Sequence, residues 1–160
     1  MLKIISPIGN IYDKEFKDLK DGHFEKLYLS RIELEKRILR KKTDHGTDVG
    51  ISLEQGVKLH SGDIIDNGKT KIIIQQLPEK VISVILKTKS MIDVMVLLGH
   101  IIGNRHRPIH IEANEILFPI TDDSEKEIFT KLFQSIIHYI EITIKEQVFF
   151  PQTGNDIHGH

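Results

Sequence analysis

The spacing of the apolar residues changes near residue 76, and that change does most to limit the folds open to this chain. Before Gln75-Gln76-Leu77-Pro78 the apolar positions fall in short runs that step by two residues. Phe24, Leu27 and Leu29 open a series that Ile32 and Leu34 continue against Arg31, Glu33 and Glu35, and Val49, Ile51 and Leu53 alternate with Gly50, Ser52 and Glu54. Period two is the spacing of strands with one buried face. Turn-forming groups divide the runs at Asp44-His45-Gly46, Glu54-Gln55-Gly56, His60-Ser61-Gly62-Asp63 and Asp66-Asn67-Gly68. Short strands at close spacing predict a small all-β domain over residues 1–75.

Past Pro78 the pattern is mixed. Residues 81–86 form a β-branched run, a buried strand. Residues 91–102 are apolar almost all round, with Ser90 and Asp93 as an N-terminal signature and Gly103-Asn104 as a stop. Residues 109–111 and 116–120 read as two strands about a turn at Ala113-Asn114. Ser124 and Glu127 make a capping box, followed by one apolar stripe of Ile128, Phe129, Leu132, Phe133, Ile136, Ile137 and Ile140. Ile140, Ile142 and Ile144 then alternate with polar residues in a last strand. The order βαββαβ predicts a ferredoxin-like α+β domain over residues 76–150, with two helices on one face of an antiparallel sheet. Residues 151–160, with Gly154, Asn155 and Gly159 and almost nothing apolar, predict a flexible histidine-containing tail.

Charge and composition narrow the chemistry. Lys and Arg total 22 against 23 acidic residues, for a formal charge of -1 and no long basic run. A nucleic-acid footprint needs a net positive face, so none is expected. No apolar stretch approaches the ~20 residues of a membrane span, and no secretory leader is visible, so a cytoplasmic protein is expected. The chain has no cysteine, which removes disulfides, thiolate zinc sites and cysteine nucleophiles together. A transition metal would have to sit on imidazole and carboxylate, ligands that suit nickel, zinc or copper(II).

Nine histidines are present and unevenly placed. His100, His106 and His110 fall within eleven residues, and His158 and His160 within the last three. Pro108 stops a helix from running through the first cluster, so His106 and His110 are not an i, i+4 helical pair. In an extended segment they would share a face, a poor pair by itself that a second chain could complete. His23, His45, His60 and His138 read as ordinary surface or turn residues, and His100 as a structural helix-end residue ahead of a ligand. In the tail, Asp156-Ile157-His158-Gly159-His160 puts two imidazoles at alternate positions with no packing duty. Metal binding and a chance or tag-derived pairing both stay open on the residues alone. A tail of this kind raises the local concentration of ligands without building a closed cage, which favours carriage over the retention of a structural zinc site.

Gly99-His100-Ile101-Ile102-Gly103-Asn104-Arg105-His106, followed by Pro108, resembles the His-x-x-Gly-Asn-Arg-His segment of the urease accessory protein UreE family, which are nickel metallochaperones. Arg40, Asp44, Gly46, residues 49–53, Gly56 and residues 59–64 are similar to the β-rich first domain of that family. The resemblance implies a homodimer joined through ferredoxin-like domains, with His106 facing its twin across the two-fold axis and binding nickel there. It implies that His158 and His160 complete the shell, with Gly103, Asn104 and Arg105 as motif support; His100 is a further candidate, and so is His110, although it stands where relatives often have glutamine. It also implies a peptide-binding first domain, Ni(2+) as cargo with Zn(2+) or Cu(2+) as competitors, and the urease-maturation GTPase and urease accessory complex as partners in nickel insertion. Two departures stand out. The tail has two histidines rather than a long run, and residues 118–123 lack the histidine pair of some relatives.

The residues leave rivals. Asn104 and Arg105 on a ferredoxin-like scaffold are similar to the pair in acylphosphatases in which an arginine binds phosphate and an asparagine positions water, but no glycine-rich anion loop adjoins them. A structural adaptor in a maturation complex would share both domains yet be indifferent to His106. RNA-recognition domains share βαββαβ, but they stack bases on strand aromatics, and residues 81–86 and 107–111 hold none.

Overall fold

A computed structural model describes residues 2–4, 6–13, 24–66, 68–88 and 91–152. His23, Asn67, Ser90, His158 and His160 lie outside the described residues. The fold is mostly β with a few helices, and the chain divides into two compact units, Met1–Leu77 and Pro78–His160.

The first unit contains β1 (Leu2–Ile4), β2 (Gly9–Asn10), β3 (Glu25–Leu29), a one-turn helix α1 (Arg31–Leu34), β4 (Ile38–Lys42), β5 (Asp48–Ser52), β6 (Asp63–Asp66) and β7 (Lys71–Gln76). They form a three-stranded sheet in the order β1-β5-β4 and a four-stranded sheet in the order β2-β6-β7-β3. β1 with β5 and β3 with β7 pair parallel, and the remaining neighbours antiparallel. Leu27, Leu29, Leu34, Val49, Ile51, Leu53, Leu59, Ile65, Ile72 and Ile74 make one core that draws on both sheets. The expected strand through Ile32 and Leu34 is instead a helical turn. The Ser30 hydroxyl accepts from the Glu33 N–H at 3.2 Å, and the Glu33 carboxylate accepts from the Ser30 N–H at 2.8 Å. This reciprocal cap satisfies donors that a helix start leaves open.

The second unit runs β8 (Glu79–Leu86), α2 (Ile92–Asn104), β9 (His110–Glu112), β10 (Glu115–Pro119), α3 (Glu125–Leu132), a 3-10 segment (Gln134–Tyr139) and β11 (Ile140–Gln147). Its sheet has the order β11-β8-β10-β9 with every neighbour antiparallel. Alternation along the strands sorts the two faces. Ile82, Val84 and Leu86 of β8, Ile116 and Phe118 of β10 and Ile140 of β11 share a core with Val94, Leu98 and Ile102 of α2 and with Phe129, Phe133 and Ile136. Burying six such side chains from one sheet face is the main term holding the helices down, at roughly 1.5–3 kcal/mol each.

Three details differ from the sequence-based expectation. Gly103 and Asn104 do not stop α2; they form its last turn, and Arg105 caps it. The Ser124–Glu127 capping box is not made, because Ser124 is itself helical and its side chain caps nothing. Glu125 takes over, accepting from the Thr121 N–H at 2.6 Å and the Asp122 N–H at 3.3 Å. The apolar stripe does not stay on one helix either. It passes into the 3-10 segment after Phe133, which leaves Ile128 exposed.

The opposite face of the sheet carries a short strap. After β11 the chain puts Phe149 on Val81 of β8 and Leu117 of β10. It then reaches β9 and the residue before it, where the Gln152 N–H donates to the Ile109 carbonyl at 2.8 Å and the Gln152 side-chain oxygen accepts from the Ile111 N–H at 2.6 Å. Pro151 and Gln152, expected in the flexible tail, are therefore held to the sheet.

Candidate metal centre

The end of α2 is built by its backbone. The Arg105 N–H donates to the Ile102 carbonyl at 3.1 Å and the His106 N–H to the Gly103 carbonyl at 2.9 Å, so two of the carbonyls orphaned at a helix C-terminus are satisfied. His106 takes a left-handed backbone conformation, with φ 55. That is the usual place of a glycine after a helix, and for a side chain it costs about 1 kcal/mol or more. His106 and His110 do not share one extended segment, so the same-face pairing such a segment would give does not arise. His106 is in a turn and β9 begins only at His110.

His106 is exposed. Among the described residues its ring has no hydrogen-bond partner, so both nitrogens are open to a ligand. His100, one helix face away, is engaged, since the Asn104 side-chain amide donates to its Nε2 at 3.2 Å. Arg105 is exposed beside a cavity of about 350 Å³ lined by Ile101, Asn104, Arg105 and Leu132. Neither Gly99 nor Gly103 has a positive φ, and a methyl group added at either would meet nothing within 4 Å.

Arg107 anchors the chain beyond the turn. Its guanidinium donates to the Pro119 carbonyl at 3.0 Å, pairs with the Glu125 carboxylate and stands 5.9 Å above the centre of the Phe129 ring. Partial burial pushes the Glu125 carboxyl up. That push is outweighed by the Thr121 and Asp122 N–H groups and then by Arg107, so it titrates below the ordinary carboxylate range. Sequence reasoning missed this clamp. Its signal is faint: an arginine after the motif and an acid in the first turn of the next helix.

His110 opens β9 and pairs across the ladder with Leu117. Its Nε2 lies 4.0 Å from the Glu112 carboxylate, while its Nδ1 is buried without a hydrogen-bond partner. On the same sheet face Glu115 accepts from Lys145 at 2.8 Å and from the buried Ser83 hydroxyl at 2.5 Å, contacts that hold its carboxyl below the usual range. Among the described residues no three of His, Asp and Glu gather as a metal-holding group. His45 and His60 each lie beside an aspartate in their turns, and His138 is exposed on the 3-10 segment. Among the described residues no helix is long and apolar enough to cross a membrane.

The first unit identifies the class. Residues 4–76 match the family described as “UreE urease accessory protein, N-terminal domain”. Relatives extend the match into the second unit. A urease accessory protein UreE of Staphylococcus epidermidis is 38% identical over 125 residues, covering 75% of this chain and 80% of the relative. One of Staphylococcus carnosus is 35% identical over 117 residues, covering 72% and 73%. One of Actinomyces naeslundii is 32% identical over 134 residues, covering 83% and 81%. The chain belongs to the UreE urease accessory protein family, which is a family of accessory proteins and not of enzymes.

Proposed function

We propose that the chain is a nickel(II) metallochaperone that holds its cargo on histidines at the interface of a homodimer and delivers it for assembly of a urease active site. The observation that carries the reading is the exposed, unbonded imidazole of His106, held out by a left-handed turn in a member of a urease accessory family. One imidazole is too few for a divalent ion. A two-fold axis turns one residue per chain into two ligands, and His158 and His160 supply the remainder. Gly103, Asn104 and Arg105 shape the turn.

Chain length supports the tail's part. Gln152 is bonded at Ile109, three residues from His106, a span of at most about 10 Å. His158 and His160 follow Gln152 by six and eight residues, an extended reach of about 20–28 Å. His100 and His110 stay outside the shell in this reading. His100 is bonded to Asn104. A metal on His110 Nε2 would put the proton on Nδ1, which has no acceptor, whereas ligating imidazoles ordinarily donate that second N–H.

The second unit reads as a ferredoxin-like domain, supported by two βαβ crossovers and the strand order β11-β8-β10-β9. In this reading residues 76–150 bind metal and dimerise, 151–160 form the tail, and residues 1–75 form a peptide-binding-like domain. The partners are the urease-maturation GTPase and the urease accessory complex, in the cytoplasm, with zinc or copper(II) as competitors for the site.

Calorimetric nickel titration tests the reading. Protons and nickel compete for the same imidazole lone pair, so affinity is weaker at about pH 5.5 than at about pH 8. His106→Ala abolishes the shared site, lowering affinity at least about tenfold, the order for loss of a principal ligand, while the dimer stays folded. Equal affinity at both pH values, or full affinity in the variant, overturns it.

A further inference from the structure

We propose that the outer edge of β11 is a self-association surface, separate from the shared histidine site, on which a second copy of this chain pairs antiparallel about a two-fold axis at Thr143. β11 ends its sheet, and its eight residues pair with β8 on one side only. In an antiparallel ladder every second residue exchanges its backbone bonds with the neighbouring strand. The Lys87 N–H donates to the Tyr139 carbonyl at 3.0 Å, so the odd-numbered residues of β11 bond β8. The N–H and C=O groups of Ile140, Ile142, Ile144 and Glu146 therefore point off the sheet. Among the described residues no backbone bond takes them up. Edges are ordinarily guarded by a proline, a bulge or a short strand. β11 has no proline, and its register with β8 runs unbroken over all eight residues. At the other edge β9 has three residues and meets Gln152.

The sequence of the strand is complementary to itself in one register. Outward-facing groups must meet outward-facing groups, so even residues pair with even ones, and a two-fold axis at any residue of β11 satisfies this. Side-chain charge selects among the choices. Centred on Thr143, Glu141 stands opposite Lys145 of the second copy, twice by symmetry, and Ile142 stands opposite Ile144. Opposite charges facing each other across a ladder stabilise it and like charges destabilise it. An axis at Glu141 or Lys145 sets like charges face to face, and one at Ile142 or Ile144 loses both ion pairs. Glu141, Thr143 and Lys145 are exposed on the sheet face away from the helices. The Lys145 ammonium already donates to Glu115 at 2.8 Å, and Glu141 of the second copy would add a carboxylate on its other side. On the helix face Ile142 and Ile144 are only partly buried by their own core, so the same pairing covers apolar surface there. One strand pair is smaller than the interface of a stable dimer, which makes the contact weak and dependent on concentration.

The chain has no cysteine, so Thr143→Cys introduces a single thiol. Facing residues of a non-hydrogen-bonded antiparallel pair stand about 4.5 Å apart at Cα, within disulfide reach. In Glu141→Cys the two thiols lie four residues out of register, about 14 Å apart. Concentrated protein is oxidised with oxidised glutathione, with a chelator present so that no shared metal draws the copies together. Thr143→Cys is expected to form a linked dimer at least about tenfold faster than Glu141→Cys. Adding Glu141→Lys, which sets lysine opposite lysine and leaves the Glu115 contact in place, slows the Thr143→Cys link about tenfold. That difference narrows in about 1 M salt, where charges are screened beyond about 3 Å. Equal rates for the two single cysteines mean random collision and overturn the pairing. A Thr143→Cys link indifferent to Glu141→Lys overturns the register. Neither result bears on nickel, whose binding is read separately in His106→Ala.

Discussion

At the scale of single residues, backbone handedness decides most of the turn chemistry. Gly46, Gly56, Gly62 and Gly68 close the four turns expected from sequence, and all have φ between 83 and 90, a region that side chains avoid. Gly62 is the most constrained, since an added methyl group would stand 2.6 Å from a Tyr12 ring carbon and 2.8 Å from the Asn10 side-chain oxygen. Gly62→Ala is expected to lower stability by about 2 kcal/mol in urea unfolding, while Gly46→Ala, which meets no neighbour, costs only the strain, about 1 kcal/mol. Equal losses at the two positions would remove the steric part of that account. These turns are legible because glycine is almost alone in tolerating such angles. His106 is not, because a left-handed histidine carries no signal in its own identity. Its conformation follows from where α2 ends and from the clamp at Arg107.

At the scale of elements, one pattern has two outcomes. Ser-x-x-Glu occurs at Ser30 with Glu33 and at Ser124 with Glu127, and only the first becomes a capping box. At the second, Glu125 lies nearer the open N–H groups of Thr121 and Asp122 and also meets Arg107. Pattern reading finds the helix start in both cases but not which acid serves it. Folding holds the Glu125 carboxyl below its usual value of 4.5. A lowered folded value means the stabilisation is complete above the unfolded value and is lost as pH falls through the folded one. Glu125→Gln is therefore expected to lose about 2 kcal/mol near neutral pH. The gap to the parent protein should narrow steadily below about pH 4.5 in acid-unfolding series. A gap that is constant with pH would mean that the carboxylate charge contributes nothing. The period-two reading fails at α1 for a related reason. Ile32 and Leu34 are two apart on a strand or on a single helical turn, and only the Ser30 cap separates the two.

At the scale of the whole molecule, the question is what covers α2. Its sequence is apolar almost all round, and one chain buries only Val94, Leu98 and Ile102. Ile92, Val96 and Leu97 remain 75%, 64% and 44% exposed. Ile92 and Val96 lie one turn apart, and the same side of the helix continues through Gly99 and Gly103, where a side chain would meet nothing of its own chain. Their line leads toward His106. A helix apolar on its outward face needs a partner, and a second copy brought along this line would carry the two His106 turns toward each other. That extra apolar surface was legible in the sequence. Which residues it would leave uncovered was not, since that depends on the rotation of α2 over the sheet. If the proposed homodimer forms along this face, Val96→Lys is expected to shift it toward monomer in sedimentation and to weaken nickel binding at least about tenfold, although every residue proposed as a ligand is still present. The monomer should keep its fold, because Val96 packs against nothing in its own core. A monomeric variant with undiminished nickel affinity would place the whole site within one chain and remove the symmetric pair of imidazoles.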